Sequence, residues 1–376
     1  MANTITEVLP KILAQGLLAL RQNSIMPRLV NNSYSTEAAQ KGNVINVPIP
    51  SALAARDVTP AVTYAANVDF TPTSVAVTLD FWKEAVFQLS DNDVASVMNG
   101  TIPMQASEAI KSLANAVDSY IMGKATAFYG AAGTPGTTPF NTSLTMAGTA
   151  RKLLNKQLAP MNDRRAVLDP DAESNFLLNA NILQSDQRGD QGGIVSGSIG
   201  TKLGIDWYMD QNVASYTPGT GWVTGFIAST VGGAVGDTTL NIINATASGQ
   251  VKVGDIFTLV ADTAAQQYVI TVTGTVSATV QKAITFYPAL KTTVATGATL
   301  VVIGTAYVAN LAFHRDAFAF ASRPLQRASE NTDNTMTIAD PVSGVVLRLE
   351  VIRQNKQDYF EFDILYGEGI SREGEV

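Results

Sequence analysis

The spacing of apolar residues changes period several times along the chain, and each change predicts an element. From Ile5 to Leu20 the positions Ile5, Val8, Leu9, Ile12, Leu13, Leu17 and Leu20 follow a helical repeat interrupted at Pro10 and Gly16. This segment reads as a detachable arm or as a helix packed on its own domain. From Asn43 the period becomes two. Ile45, Val47 and Ile49 form one short strand, and Val75, Val77, Leu79 and Phe81 begin a longer one running to about Leu89. Together they predict a two-stranded ribbon, a structure only marginally stable alone and open to pairing along its edges. A neighbouring copy of the chain, or a larger sheet, has to cover it.

The next stretch returns to helix. Asp91 to Met98 can form a short helix that Gly100 stops, and Thr101 then caps a long one with Pro103 in its first turn. Ala106, Ile110, Leu113, Val117, Tyr120, Ile121 and Phe128 hold one stripe until Gly130, which predicts a rod of about 40 Å. A Gly-, Pro- and Thr-rich loop follows from Ala131 to Thr145. Leu153, Leu154, Gln157 and Leu158 place another helix that stops at Pro160. Arg165 to Leu168 is a short buried strand, Asp169-Pro170 starts a third helix through about Asn179, and Ile205 to Asp210 is a further strand. Helix and strand in this order predict a compact mixed domain around a central sheet.

Composition shifts at about Tyr216. From there to Ala306 only Asp237, Lys252, Asp255, Asp262, Lys282 and Lys291 are charged, six in 91 positions, and short alternating runs separated by turn residues predict an all-β insert. The runs are Thr239 to Ile243, Asp255 to Val260, Tyr268 to Val272, Ala283 to Phe286 and Thr299 to Ile303. At the C-terminus Leu347, Leu349 and Val351 alternate with charged neighbours, the chain turns at Gln354 to Gln357, and Tyr359 to Leu365 returns. That is a hairpin, with a further turn expected at Tyr366-Gly367.

Overall composition narrows the chemistry. Charged residues are 15% of the chain against about a quarter in ordinary soluble domains, so much of the surface is neutral and suited to contact with other subunits. Cysteine is absent and His314 is the single histidine, which excludes thiolate catalysis, Cys-based zinc sites and His-rich metal centres. A net charge of -7 argues against a groove that neutralises many phosphates. The opening residues lack a basic start, an unbroken apolar core and a small-residue cleavage site, and so read as cytosolic at synthesis. Thr292 to Phe313 runs without a charge for about a membrane thickness, but its glycines and β-branched residues fit two buried strands better than a membrane span.

Candidate sites reduce to structural roles. Ile199 to Leu203 lacks the residue order of a phosphate loop, and its glycines serve positive-φ turns. Asp91/Asp93 and Asp169/Asp171 sit at helix starts, where carboxylates cap. Asp237, Asp255 and Asp262 lack calcium-loop spacing, and Gly254-Asp255 reads as a tight turn. His314 has no nucleophile motif to pair with and reads as solvent-facing or hydrogen-bonded. Trp82, Trp207 and Trp222 are scattered, as expected of core or interface packing. No cofactor, metal or catalytic residue is expected.

Arg165 to Pro170, Gly193 to Asn212, Asn310 to Arg323 and Leu365-Tyr366-Gly367, in the order arm, ribbon, long helix, mixed domain and closing hairpin, resemble the major coat proteins of tailed bacteriophages with the HK97-type fold. Val251 to Thr258 and Ile284 to Ala289 resemble the extra β-barrel domain of P22-like members. The resemblance implies an α+β coat fold divided as N-terminal arm 1–40, extended loop 41–90, peripheral domain with spine helix 91–150, and axial domain 151–215. An inserted β-domain 216–306, an axial return 307–322 and a C-terminal hairpin 323–376 complete it. It further implies self-assembly into hexamers and pentamers of an icosahedral head around double-stranded DNA. A scaffolding protein and a portal are expected partners, with assembly in the host cytoplasm and final residence in the virion. The residues expected at the inter-subunit contact are Val47, Ile49, Val75, Val77, Leu79, Phe81 and Trp82. An encapsulin-like compartment and a β-rich adhesin or carbohydrate-binding protein are the alternatives.

Overall fold

The computed structural model describes residues 9–34, 43–49, 55, 73–91, 101–128, 130–183, 197–220, 226–228, 232–244, 249–260, 266–276, 280–298, 300–325 and 334–370. The helices are α1 (Leu9–Asn23), α2 (Met26–Leu29), α3 (Thr101–Gly123), α4 (Thr145–Lys156), α5 (Pro170–Leu178) and α6 (Ala180–Leu183). Strands run β1 (Val44–Ile49), β2 (Thr73–Thr78), β3 (Phe81–Ser90), β4 (Arg164–Leu168), β5 (Gly200–Lys202), β6 (Ile205–Met209) and β7 (Ser215–Tyr216). Then come β8 (Phe226–Ala228), β9 (Thr239–Asn244), β10 (Gly249–Val251), β11 (Ile256–Leu259), β12 (Gln267–Ile270), β13 (Gly274–Val276) and β14 (Lys282–Tyr287). The last are β15 (Leu300–Ile303), β16 (Tyr307–Val308), β17 (Leu311–His314), β18 (Phe318–Arg323), β19 (Thr335–Ala339), β20 (Val346–Gln354) and β21 (Gln357–Ile370). The chain divides into two compact units, Met1–Val117 with Asp316–Arg372, and Asp118–Arg315 with Glu373–Val376.

The first unit is built on the C-terminal hairpin. β20 and β21 pair with Gln354 opposite Gln357, leaving Asn355 and Lys356 as a two-residue turn at φ 50° and 62°. Positive φ at both positions matches the twist of antiparallel strands. β3 pairs along one edge of β21, β20 and then β18 along the other, and β19 lies outside β20. Ser322 joins β18 to β20, its hydroxyl donating to the Leu365 carbonyl and accepting from the Val346 N–H. One sheet face is apolar: Leu347, Leu349, Val351, Phe360, Phe362 and Ile364 are buried. Phe87 stacks on Phe360 at 5.0 Å. The buried stripes of α1 (Ile12, Leu13, Leu20) and of the first turns of α3 (Ala106, Ile110, Leu113) belong to the same unit. Gly16, an interruption in the sequence pattern, is a packing requirement: a Cβ there would lie 2.2 Å from Ile110 Cδ1.

Three sequence expectations change in this unit. The strand expected from Val75 to Leu89 is two strands broken at Leu79-Asp80, because β2 pairs with β1 while β3 pairs with β21. Tyr366-Gly367 is not a turn, since β21 runs through it to Ile370 and pairs with β18. The rod expected to reach Gly130 is α-helical for 23 residues, about 35 Å, and then tightens into a 3-10 turn at Lys124–Ala127. The short helix expected at Asp91 to Met98 falls mostly outside the described residues.

The ribbon β1/β2 lies across the far end of the sheet. Ile45, Val47, Val77 and Leu79 bury against Ala319, Ala321 and Leu365. The sheet beneath is nearly bare of side chains. A Cβ on Gly367 would stand 2.1 Å from the Thr78 carbonyl oxygen, and one on Gly369 would stand 2.8 Å from Val77 Cγ2. Close approach of two backbones, rather than a turn, is why glycine is needed there.

In the second unit β17, β4, β6 and β5 form a four-stranded sheet in which only β4 and β6 run parallel. Its core joins α4 and α5 through Leu154, Ala172, Phe176, Ala166, Leu168 and Trp207, with Phe140 edge-on to Phe176 at 4.9 Å. Leu158 is not on the helix face as expected. It follows the C-cap of α4 at φ 61° and is exposed. The charge-poor stretch forms a six-stranded sheet in the order β15-β11-β12-β14-β9-β8, with its two end strands close enough to curl it. Phe257, Tyr268 and Phe286 fill its core, 5.3 to 5.5 Å apart.

Where this sheet leaves and rejoins the chain, β7 pairs with β16, placing Tyr216 opposite Tyr307. The Tyr216 hydroxyl lies 2.8 Å from Asp255 Oδ1 and 2.9 Å from the Val253 carbonyl, and Tyr307 donates to the Gly254 carbonyl at 2.8 Å. Asp255, buried, also accepts the N–H groups of Lys252 and Gly219. The expected Gly254-Asp255 turn is present, with Gly254 at φ 95°. Burial and the adjacent Asp255 carboxylate push the Tyr216 phenol well above its ordinary value.

Two outcomes are expected. Gly367→Ala should destabilise the protein by about 1–3 kcal/mol through the clash with Thr78, read as a lower denaturant midpoint, and an unchanged midpoint would show that the strands separate freely. Tyr216→Phe should cost about 1–2 kcal/mol. Because the folded phenol stays neutral, wild type should lose stability as pH rises through the unfolded tyrosine value of about 10. The phenylalanine variant, followed by thermal unfolding, should lose less over that range.

Candidate interaction surface

The residues expected at a contact between copies separate into two groups. Val47, Val77 and Leu79 are buried within their own chain in the ribbon cluster, and Val75 is half-buried with its Cγ1 near Gly369. Ile49 is half-exposed at the end of β1. Phe81 and Trp82 remain accessible, at 36% and 59% exposure. Phe81 stacks on Tyr366 at 5.8 Å, and Trp82 donates its indole N–H to Asp363 Oδ2 at 3.2 Å. Residues 50–54 and 56–72, the ribbon tip, lie outside the described residues.

Trp82 begins a sheet face that sequence reasoning did not anticipate. Residues opposite one another in an antiparallel pair share a face, so register brings Glu84, Asp363 and Arg348 into one row and Val86, Glu361 and Glu350 into the next. Arg348 grips Asp363 with two nitrogens, Nε at 2.9 Å from Oδ1 and a second from Nη2 to Oδ2, and its Nη2 is 3.8 Å from Glu350. Glu361 has no such grip. Its carboxyl is held above the usual range, first by burial and then by Glu350, Glu84 and Asp363, with Arg348 pulling the other way. Glu350, Glu361 and Asp363 meet across the β20/β21 hairpin, and Glu84 joins them from a distant segment only through the β3/β21 register, which the pattern along the chain does not show.

The remaining candidates take structural positions. Asp91 pairs with Arg353 at 2.9 Å, and Asp93 lies outside the described residues. Asp169 occupies the N-cap position of α5 but makes no side-chain cap bond, which corrects that expectation; its backbone carbonyl accepts from Glu173, and its Oδ1 is buried without a partner. It lines a cavity of about 640 Å³ in the second unit together with Asp171, Trp207, Asn310 and the 130–143 loop, a lining without histidine, lysine or arginine. Gly200 and Gly204 have positive φ, and Leu203-Gly204 closes the β5/β6 hairpin. His314 is buried in β17 opposite Arg164, so it is not solvent-facing. Trp207 is core and Trp222 lies outside the described residues. Among the described residues, no group of three or more potential ligands is arranged for a metal ion, and no helix is long and apolar enough to cross a membrane.

No protein-family model and no curated protein matches this sequence. Solved structures do match. A structure from Mycobacterium phage Che8 is 16% identical, with 94% of this chain and 89% of that chain covered at a TM-score of 0.51. The capsid structure of the cyanophage P-SCSP1u is 12% identical, covering 93% of this chain and 86% of that chain at 0.50. The chain therefore has an α+β phage capsid fold.

The acidic face carries a pH-dependent signature. With the folded carboxyl of Glu361 raised above its unfolded value, its ionisation opposes folding at neutral pH and ceases to do so once both states are protonated. Glu361→Gln should raise the urea midpoint at pH 7, with the gain fading as pH falls through about 4. An equal gain at both pH values would mean the carboxylate charge is not the cause.

Proposed function

We propose that this chain is the major capsid subunit of an HK97-type phage head, P22-like in carrying a β-domain inserted at 216–306, and that it assembles into hexamers and pentamers around double-stranded DNA. The observation that carries this reading is fold likeness over more than nine-tenths of the chain to the P-SCSP1u capsid structure. The ribbon supports it: its base is anchored on the chain's own sheet, leaving Phe81 and Trp82 accessible beside it. In this reading the 52–72 tip overlaps an adjacent subunit, and α3 is the spine of the peripheral domain. A scaffolding protein guides assembly in the host cytoplasm, a portal takes one vertex, and the virion is the final location. Packaging by a separate motor fits a chain of net charge -7, which has no need to grip DNA.

The test is assembly itself. Purified chain, alone or co-expressed with its scaffold, should sediment as closed shells. Deleting Ala52 to Pro72 should leave the subunit's circular dichroism and unfolding midpoint unchanged while cutting shell yield at least about tenfold, a coupling loss of about 1.4 kcal/mol or more. Shells of normal yield and stability from the deleted chain would remove the ribbon from assembly.

A further inference from the structure

Two exposed patches of opposite character remain on the subunit. The first is the outer part of the acidic sheet face, where Glu84 is exposed and Glu361 half-buried, while Glu350 and Asp363 beneath them are buried. These four carboxylates face Arg348 and, one row further, Arg323, which already donates to Asn43. Negative charge is therefore in excess. The same face exposes Trp82 at 59% and Val86 at 45%, and no described strand pairs with the outer edge of β3. An unpaired edge of ten residues that exposes Trp82 and Val86 leaves backbone groups and apolar surface for a partner to cover.

The second patch is the C-terminal end of α4 in the other unit. Lys152 and Lys156 are exposed one helical turn apart, and the chain then presents Leu158 at 86% exposure and Met161 at 71%. Leu158 holds φ 61°, a left-handed conformation that favours glycine or asparagine. A large apolar side chain in a disfavoured backbone region and in water gains nothing visible within its own chain. The segment joins two exposed cations to two exposed large apolar side chains. The spacings also agree: the lysines are roughly 6 Å apart along the helix, and Glu84 and Glu361 lie in successive sheet rows roughly 7 Å apart.

We infer that the end of α4 on one copy docks on the β3 face of a second copy, Lys152 and Lys156 meeting Glu84 and Glu361 while Leu158 and Met161 cover Trp82 and Val86. The contact joins two different patches, so it repeats head to tail and closes into a ring when the rotation permits. It rests on the capsid reading and adds to it a specific pair of surfaces.

The experiment is a charge exchange. Lys152→Glu with Lys156→Glu, and separately Glu84→Lys with Glu361→Lys, should each lower shell yield about tenfold by juxtaposing like charges, with subunit unfolding midpoints showing that both variants fold. Combining all four substitutions in one chain should recover most of the yield. Normal shells from either double variant, or no recovery in the fourfold variant, overturns the contact while wild-type shells keep the capsid reading intact. Absence of wild-type shells, with and without scaffold, overturns that reading and this contact with it.

Discussion

Everything in the first unit depends on one close approach, the Thr78 carbonyl resting on Gly367. A ribbon can cross a sheet at that distance only where the sheet has no side chains to displace it, and the strip formed by Ala319, Ala321, Gly367 and Gly369 meets that condition. The apolar residues on the ribbon's inner side then reach cover. Burying a valine or leucine contributes about 1.5–3 kcal/mol each, so Val47, Val77 and Leu79 hold the base firmly without any partner subunit.

Charge is scarce in this chain, and its placement is correspondingly informative. Arg348 and Asp363 form a two-point pair on a largely covered sheet face, an arrangement in which each ion depends on the other. Glu361 lacks an equivalent and stands among like charges. In the second unit, Asp255 collects the Tyr216 hydroxyl and two backbone N–H groups at the neck of the β-rich stretch, using one buried carboxylate to fix where the chain leaves and returns. Neither cluster has the composition of a catalytic centre. Both hold chain segments in place.

Periodicity made much of this legible. The hairpin around Asn355-Lys356, the stripe of α3, Asp169-Pro170 opening α5, and the alternating strands of the charge-poor stretch were all readable because each depends on neighbours within one element. What escaped was set by contacts between distant segments. Val75 to Phe81 alternates without a break, yet the chain changes sheets at Leu79-Asp80 because two separate partners, β1 and β21, compete for it. Gly367 resembled a turn signal because sequence alone does not show a carbonyl overhead. The acidic face was hidden for the same reason, since its members are neighbours across strands rather than along them.

The most direct measurement is an electron cryomicroscopy reconstruction of particles formed by the purified chain. A subunit of a phage shell should appear in a closed icosahedral lattice, with density for residues 50–72 lying over an adjacent copy while Val47, Val77 and Leu79 stay on their own sheet. A solitary globule whose ribbon tip folds back onto its own body would contradict it.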